Sequence, residues 1–211
     1  MSFTDKKTEL LRREVEKRLG AKRFLHTLGV EAAAARLGEA LCPDEICELR
    51  RAALLHDITK ELSEEEQLSL LAEQGISDED DISATAVHHS LTAPAVIARD
   101  FPDFATERVL SAVRRHTTGD EGMTVFDEII FLADYIEDGR TYPACVELRL
   151  WLYRELDGAH SREEALTALH TATLAAIDNT IKSIRARGGK LHPRTLSARD
   201  YIQKILGADK S

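Results

Sequence analysis

Apolar residues recur every three or four positions along most of the chain, the period of a helix that lays one face on a core. Residues 5–19 set Leu10, Leu11, Val15 and Leu19 near one face, and residues 22–41 continue as an alanine-rich helix. Pro43 stands just inside the next start, where a missing N–H costs nothing, and that helix is predicted from about Asp44 to His56. Ser63 and Glu66 make a capping box for a helix that Gly75 stops. The acidic run 78–81 reads as a solvated loop. Further helices are predicted at about 88–100, 104–116, 123–137, 143–155, 161–186 and 195–206, with a loop at 187–195 marked by its Gly pair and Pro. No strand pair, linker or repeat interrupts this pattern. The expected fold is all-α, a single-domain helical bundle over residues 1–211.

Composition narrows the function classes. Of the 211 residues 43% are hydrophobic and 31% charged, which is ordinary for a soluble globular chain long enough to bury a core. Aromatics at 5%, with plentiful Ala and Leu, favour helix over sheet. The net charge of −9 excludes a general nucleic-acid or acidic-membrane binder, because such a chain repels polyphosphate on approach. A small anionic ligand stays open if cations or metals invert the field locally. Cys42, Cys47 and Cys145 are odd in number and irregular in spacing, which fits reduced, semi-buried residues rather than disulfides. The charged N-terminal segment lacks a signal-peptide core, and no run reaches the ~18 apolar residues of a membrane span. A cytoplasmic location is expected.

Candidate chemistry lies where polar residues interrupt apolar helical stretches. His26 sits in "RFLHTLGV", His56 and Asp57 in "ALLHDITK", His89 in "AVHHSLTAP", His116 in "AVRRHTTG" and Asp134 in "IIFLADYIEDG". Each alone has a plain reading as a hydrogen-bonded core residue. A carboxylate in such a position is costly to bury unless paired. Several such places on different helices point to shared use, and imidazole with carboxylate suits iron, manganese or zinc.

An isolated His, a later His-Asp doublet at a helix end and a final Asp after an apolar run form the pattern of the HD-domain phosphohydrolases. The chain resembles that superfamily at His26, His56, Asp57 and Asp134, with Lys60 completing an H-D-x-x-K form. The blocks "HTTG" (116–119), "ADYIEDGR" (133–140), "YPACVELR" (142–149) and "LHPRTLSARDYI" (191–202) resemble those of the YqeK family, bacterial symmetrical bis(5′-nucleosyl)-tetraphosphatases. The resemblance spans almost the whole chain. It departs at the third histidine, where two stand together; the family's small residues after it favour His89 over His88.

The resemblance implies a fold of the HD type with two metals in its core, most readily iron, with manganese, cobalt, zinc or magnesium as alternatives. It implies that His26, His56, Asp57 and Asp134 hold one ion and His89 and His116 the other, Asp57 bridging them. The metal-site core would span about 20–140, with C-terminal helices at about 143–206 packed on it. Hydroxide generated on metal would attack phosphorus and split diadenosine tetraphosphate, or a related dinucleoside polyphosphate, into two ADP. Asp57 and Lys60 would be the catalytic residues. Lys60, Arg140 and Arg115 are candidate phosphate contacts, with Arg114 open beside Arg115 and a solvated role open for both. The oligomeric state stays open, a homodimer included.

His160, His170 and His192 read as structural, His192 as an anchor for the last helix. The competing functions are hydrolysis of a mono-, tri- or cyclic nucleotide on the same scaffold, a non-catalytic nucleotide-binding regulatory module, and a purely structural helical protein.

Overall fold

Local capping chemistry cuts the chain into helices. The computed structural model describes residues 5–208; residues 1–4 and 209–211, which the single-domain expectation includes, lie outside the described residues. In order come α1 (Lys6–Glu16), α2 (Ala21–Leu41), α3 (Ile46–Leu55), α4 (Glu64–Glu73), α5 (Glu79–Ser83), α6 (His88–Asp100), α7 (Glu107–Arg115), α8 (Val125–Ile136), α9 (Pro143–Gly158), α10 (Arg162–Ala186) and α11 (Pro193–Ala208). Among the described residues there is no strand, so the chain is all-α as predicted. The Ser63–Glu66 capping box opens α4, and a second box, Thr124 with Asp127, opens α8.

Packing follows the apolar stripes. α2 lies against α3 and α8, and α10 lies against α8, α9 and α11. Their shared interior is largely apolar: Leu37, Leu41, Leu49, Leu54, Leu55, Ile129, Ile130 and Leu132 are fully buried. Burying each such side chain stabilises the fold by about 1.5–3 kcal/mol. A smaller cluster of Leu71, Val87 and Leu91 joins α4 to α6. No helix among the described residues is long and apolar enough to cross a membrane.

The structure departs from the expectation in three places. Residues 78–81 are not a solvated loop: Asp78 caps α5 through the N–H groups of Asp80 and Asp81, and Asp81 receives His192 and Arg194. Pro43 opens a separate single turn, Pro43–Glu45, and α3 ends at Leu55, one residue before His56. α11 begins at Pro193, two residues early, because proline suits a first helical turn.

Candidate metal centre

Three helix ends and two helix interiors aim imidazoles and carboxylates at one point. After Leu55 the backbone leaves α3 through overlapping tight turns, with N–H bonds from Ile58 to Leu55, Lys60 to Asp57 and Leu62 to Thr59. These turns let adjacent residues His56 and Asp57 both face inward, and both are buried. His116 sits in the same relation to α7. In each case Nδ1 lies 2.6 Å from the carbonyl three residues back, Ala53 for His56 and Val113 for His116. A carbonyl only accepts, so Nδ1 carries the proton and Nε2 points into the site. His26 enters from α2, His89 from α6 and Asp134 from α8.

The groups lie within reach of shared ions. His26 Nε2 is 3.0 Å from Asp134 Oδ1 and 3.8 Å from Asp57 Oδ2, and His56 Nε2 is 3.4 Å from Asp57 Oδ2. The other oxygen of Asp57, Oδ1, lies 3.3 Å from His89 Nε2 and 3.6 Å from His116 Nε2. Donor atoms of His26, His56 and Asp134 all fall within 4.8 Å of one another, as do those of His56, Asp57 and His116. His26 Nε2 and His56 Nε2 are buried without a hydrogen-bond partner although each faces a carboxylate. Ring nitrogens and carboxylate oxygens that face each other without bonding are what a cation between them satisfies, so the residues fit a metal.

The electrostatics agree. Burial pushes the His56 ring towards its neutral form, but the Asp57 and Asp134 carboxylates outweigh it and raise its pKa. Burial opposes ionisation of Asp57, yet His56 and His116 hold it well below the usual carboxylate range. Asp134 is held low against burial by His26, His56 and Arg140. Burial, His116 and Lys60 push His89 far down, which leaves a neutral ring with a lone pair to give. Lys60 is itself lowered by burial, partly offset by Asp57 and Asp134; its Nζ lies 3.0 Å from His89 Nδ1.

Several contacts of the cluster come from residues that sequence reasoning passed over. Arg23 Nη1 donates to Asp57 Oδ2 at 2.8 Å. Glu137 Oε1 accepts from His26 Nδ1 at 3.2 Å, while its Oε2 accepts the Gly139 N–H. Thr117 Oγ1 stands 3.0 Å from the Nε2 atoms of both His89 and His116. Arg23 precedes His26 by three residues and Glu137 follows Asp134 by three, so helical spacing was an available signal.

The remaining candidates separate. His88 Nε2 donates to the Ile82 carbonyl at 3.0 Å and faces away from the cluster. Arg140 donates to both the carboxylate and the carbonyl of Asp134. Arg115 is not brought to the cluster: its guanidinium bonds Ser111 and Asp127, in a groove shared with Glu45 and Thr106. His170 is paired with Glu128 in the core, His192 ties α11 to Asp81, and the His160 N–H bonds Glu164 at the start of α10. Two openings reach the cluster. A groove of about 870 Å³ adjoins His26, Arg23 and Arg140, and a recess of about 230 Å³ adjoins Lys60, His88 and His89.

The HD domain family model matches residues 23–139, the span that holds every cluster residue. A Halalkalibacterium halodurans protein named "Bis(5′-nucleosyl)-tetraphosphatase, symmetrical" is 30% identical over 91% of this chain and 94% of its own. A Bacillus subtilis protein of the same name is 27% identical over 89% and 93%. The crystal structure of a Clostridium acetobutylicum protein, described as a predicted HD superfamily hydrolase involved in NAD metabolism, is also similar. It superposes with a TM-score of 0.80 at 32% identity, covering 93% of this chain and 97% of that one.

Proposed function

The chain belongs to the HD domain family, and on that premise we propose that it hydrolyses diadenosine tetraphosphate and related dinucleoside polyphosphates symmetrically, giving two ADP. The observation that carries this reading is Asp57, whose two oxygens face two different histidine sets inside a chain that aligns over most of its length with symmetrical tetraphosphatases.

In this reading His26, His56, Asp57 and Asp134 would hold one ion, and His89 and His116, with the second oxygen of Asp57, would hold another. Iron suits this mixed donor set, with manganese, cobalt, zinc or magnesium as alternatives. A metal there supplies Lewis acidity, which makes water acidic enough to deprotonate near neutral pH and offsets charge on phosphate oxygens. The chain's own groups do the rest. Arg23 fixes the rotamer of Asp57, and Glu137 fixes the ring of His26 with Nε2 inward. Lys60 and Arg140 stand beside the cluster as phosphate contacts, local cations in a chain of net charge −9 whose pairing with the cluster carboxylates leaves excess positive charge to be supplied by bound metal. Burial of His56, Asp57, His89 and His116 keeps bulk water from screening these charges.

Incubating the purified protein with diadenosine tetraphosphate and separating products by anion exchange tests the reading. ADP is the expected sole nucleotide product. Asp57→Ala lowers the rate about a hundredfold or more by removing the shared ligand, whereas His88→Ala stays near the wild-type rate. Products of ATP and AMP would overturn the symmetrical assignment. A second reading, hydrolysis of another nucleotide, is favoured by the description of the Clostridium protein; an untouched dinucleotide beside a cleaved mononucleotide would select it.

A further inference from the structure

The large groove beside His26 carries an apolar pair that the chemistry above does not use. Leu25 and Tyr142 are each 71% exposed, the highest values among the large hydrophobic side chains described, and both line this one groove. Scattered exposed apolar residues are ordinary; a leucine and a tyrosine fronting one cleft beside a candidate metal cluster form a surface that favours a ligand. The construction is local. Lys22, Leu25, His26 and Gly29 fall on one stripe of α2, by their spacing of three, four and seven. Tyr142 is the residue at which the chain enters α9. Gly29 lacks the side chain that would otherwise collide with Glu137 and so leaves the floor between them low.

We propose that this groove clasps one nucleoside of the substrate, its base held between Leu25 and Tyr142 and its phosphates directed past Arg23 and Arg140 to the cluster. The proposal rests on the dinucleotide reading above. Size supports it: about 870 Å³ accommodates a nucleoside with its phosphates, while the 230 Å³ recess on the Lys60 side has no room for a second one enclosed to the same depth. Charge does not oppose it. Lys22, Arg23 and Arg140 line the groove beside three carboxylates, and of these Glu137 is engaged by His26 and Gly139, Glu61 by the Gly20 N–H and Asp138 by Arg149. A substrate gripped at one end has its base at a fixed distance from the ions. That distance selects which phosphorus water attacks, and the cut is symmetrical when the grip sets the second phosphorus from the held nucleoside beside the cluster.

Steady-state kinetics and calorimetry on the metal-loaded protein test the clasp, with Tyr142→Ala, Tyr142→Phe and Leu25→Ser compared with wild type. Both side chains are exposed, so unchanged thermal unfolding is expected of all three. Loss of stacking in Tyr142→Ala raises KM for diadenosine tetraphosphate and weakens ADP binding about tenfold or more. Tyr142→Phe restores both, and inorganic pyrophosphate binds wild type and Tyr142→Ala alike. ADP production with unchanged KM and ADP affinity in Tyr142→Ala and Leu25→Ser overturns the clasp alone. A change of oligomeric mass in these variants, with KM unaltered, also overturns it and assigns the pair to an interface between copies. No cleavage by the wild type removes the dinucleotide reading and the clasp together.

Discussion

His26 depends on a carboxylate that does not itself point into the cluster. Glu137 receives the Nδ1 proton, which leaves the other ring nitrogen free to face Asp134. Gly29 makes this arrangement possible, because a Cβ there would stand 2.5 Å from Glu137 Oε2. Glu137→Ala is therefore expected to weaken metal retention about 10–100-fold while leaving the fold in place. Gly29→Ala is expected to act in the same direction by displacing the carboxylate. Metal content after dialysis against graded chelator measures both, and wild-type retention in Glu137→Ala would sink the idea. The order His26, His56–Asp57, Asp134 could be read because each interrupts an apolar run. Arg23 and Glu137 are harder to single out: spacing sets each three residues from a cluster residue, but they look like any charged side chain until the carboxylate and the ring they touch have been placed. The same limit applied to Arg115: beside His116 in sequence, it turns with its helix to Ser111 and Asp127 instead.

Helix ends, more than helix middles, set the geometry. His56 and His116 each follow the last residue of a helix and bond back to it, so a shift of either end moves an inward nitrogen. Gly119 ends the α7 segment: its N–H bonds the Arg115 carbonyl, its φ is +64°, and a Cβ would lie 2.8 Å from that of Ala198 on α11. Gly119→Ala is expected to cost about 2 kcal/mol or more, from backbone strain and overpacking together. For a chain of this length that is a fall of about 4–8 °C in Tm, and an unchanged melting curve would contradict it. Periodicity located the long helices but not these ends. It also missed α5, whose acidic residues look like loop until Asp81 finds His192 and Arg194 more than a hundred residues away. Another tie joins the turn between α1 and α2 to the end of α6. Hydrogen bonds from Arg99 and Arg18 hold the Asp100 carboxyl down at about 2, against an ordinary 3.8. Its contribution is complete above the ordinary value and is lost as pH falls through about 2. Acid titration of Asp100→Asn should show a shallower stability loss between about pH 4 and pH 2 than wild type, and coincident curves would count against the tie.

At the scale of the whole molecule the central question is how a fold tolerates so much polarity at its centre. Apolar patterning made the all-α architecture readable, because burying leucine stripes is a chain-wide requirement. The convergence of α2, α3, α6, α7 and α8 on one point is tertiary, and only motif order hinted at it. At that point Asp57 and Asp134 lie among rings with two unpartnered nitrogens, an arrangement whose cost a bound cation would offset. An ion that binds the folded chain and not the unfolded one adds RT ln(1 + [M]/Kd), about 2.7 kcal/mol at a hundredfold excess over Kd. Stripping metal with a chelator should therefore lower Tm by about 5–10 °C, and adding the metal back in excess should restore it. In Asp57→Ala the chelator-dependent difference should shrink to a small fraction of the wild-type one, since the shared ligand is gone. Elemental analysis on the same samples ties the melting temperature to occupancy. Wild-type protein that loses its metal and melts at the same temperature would show that the histidines and aspartates of this core stand together for some reason other than an ion.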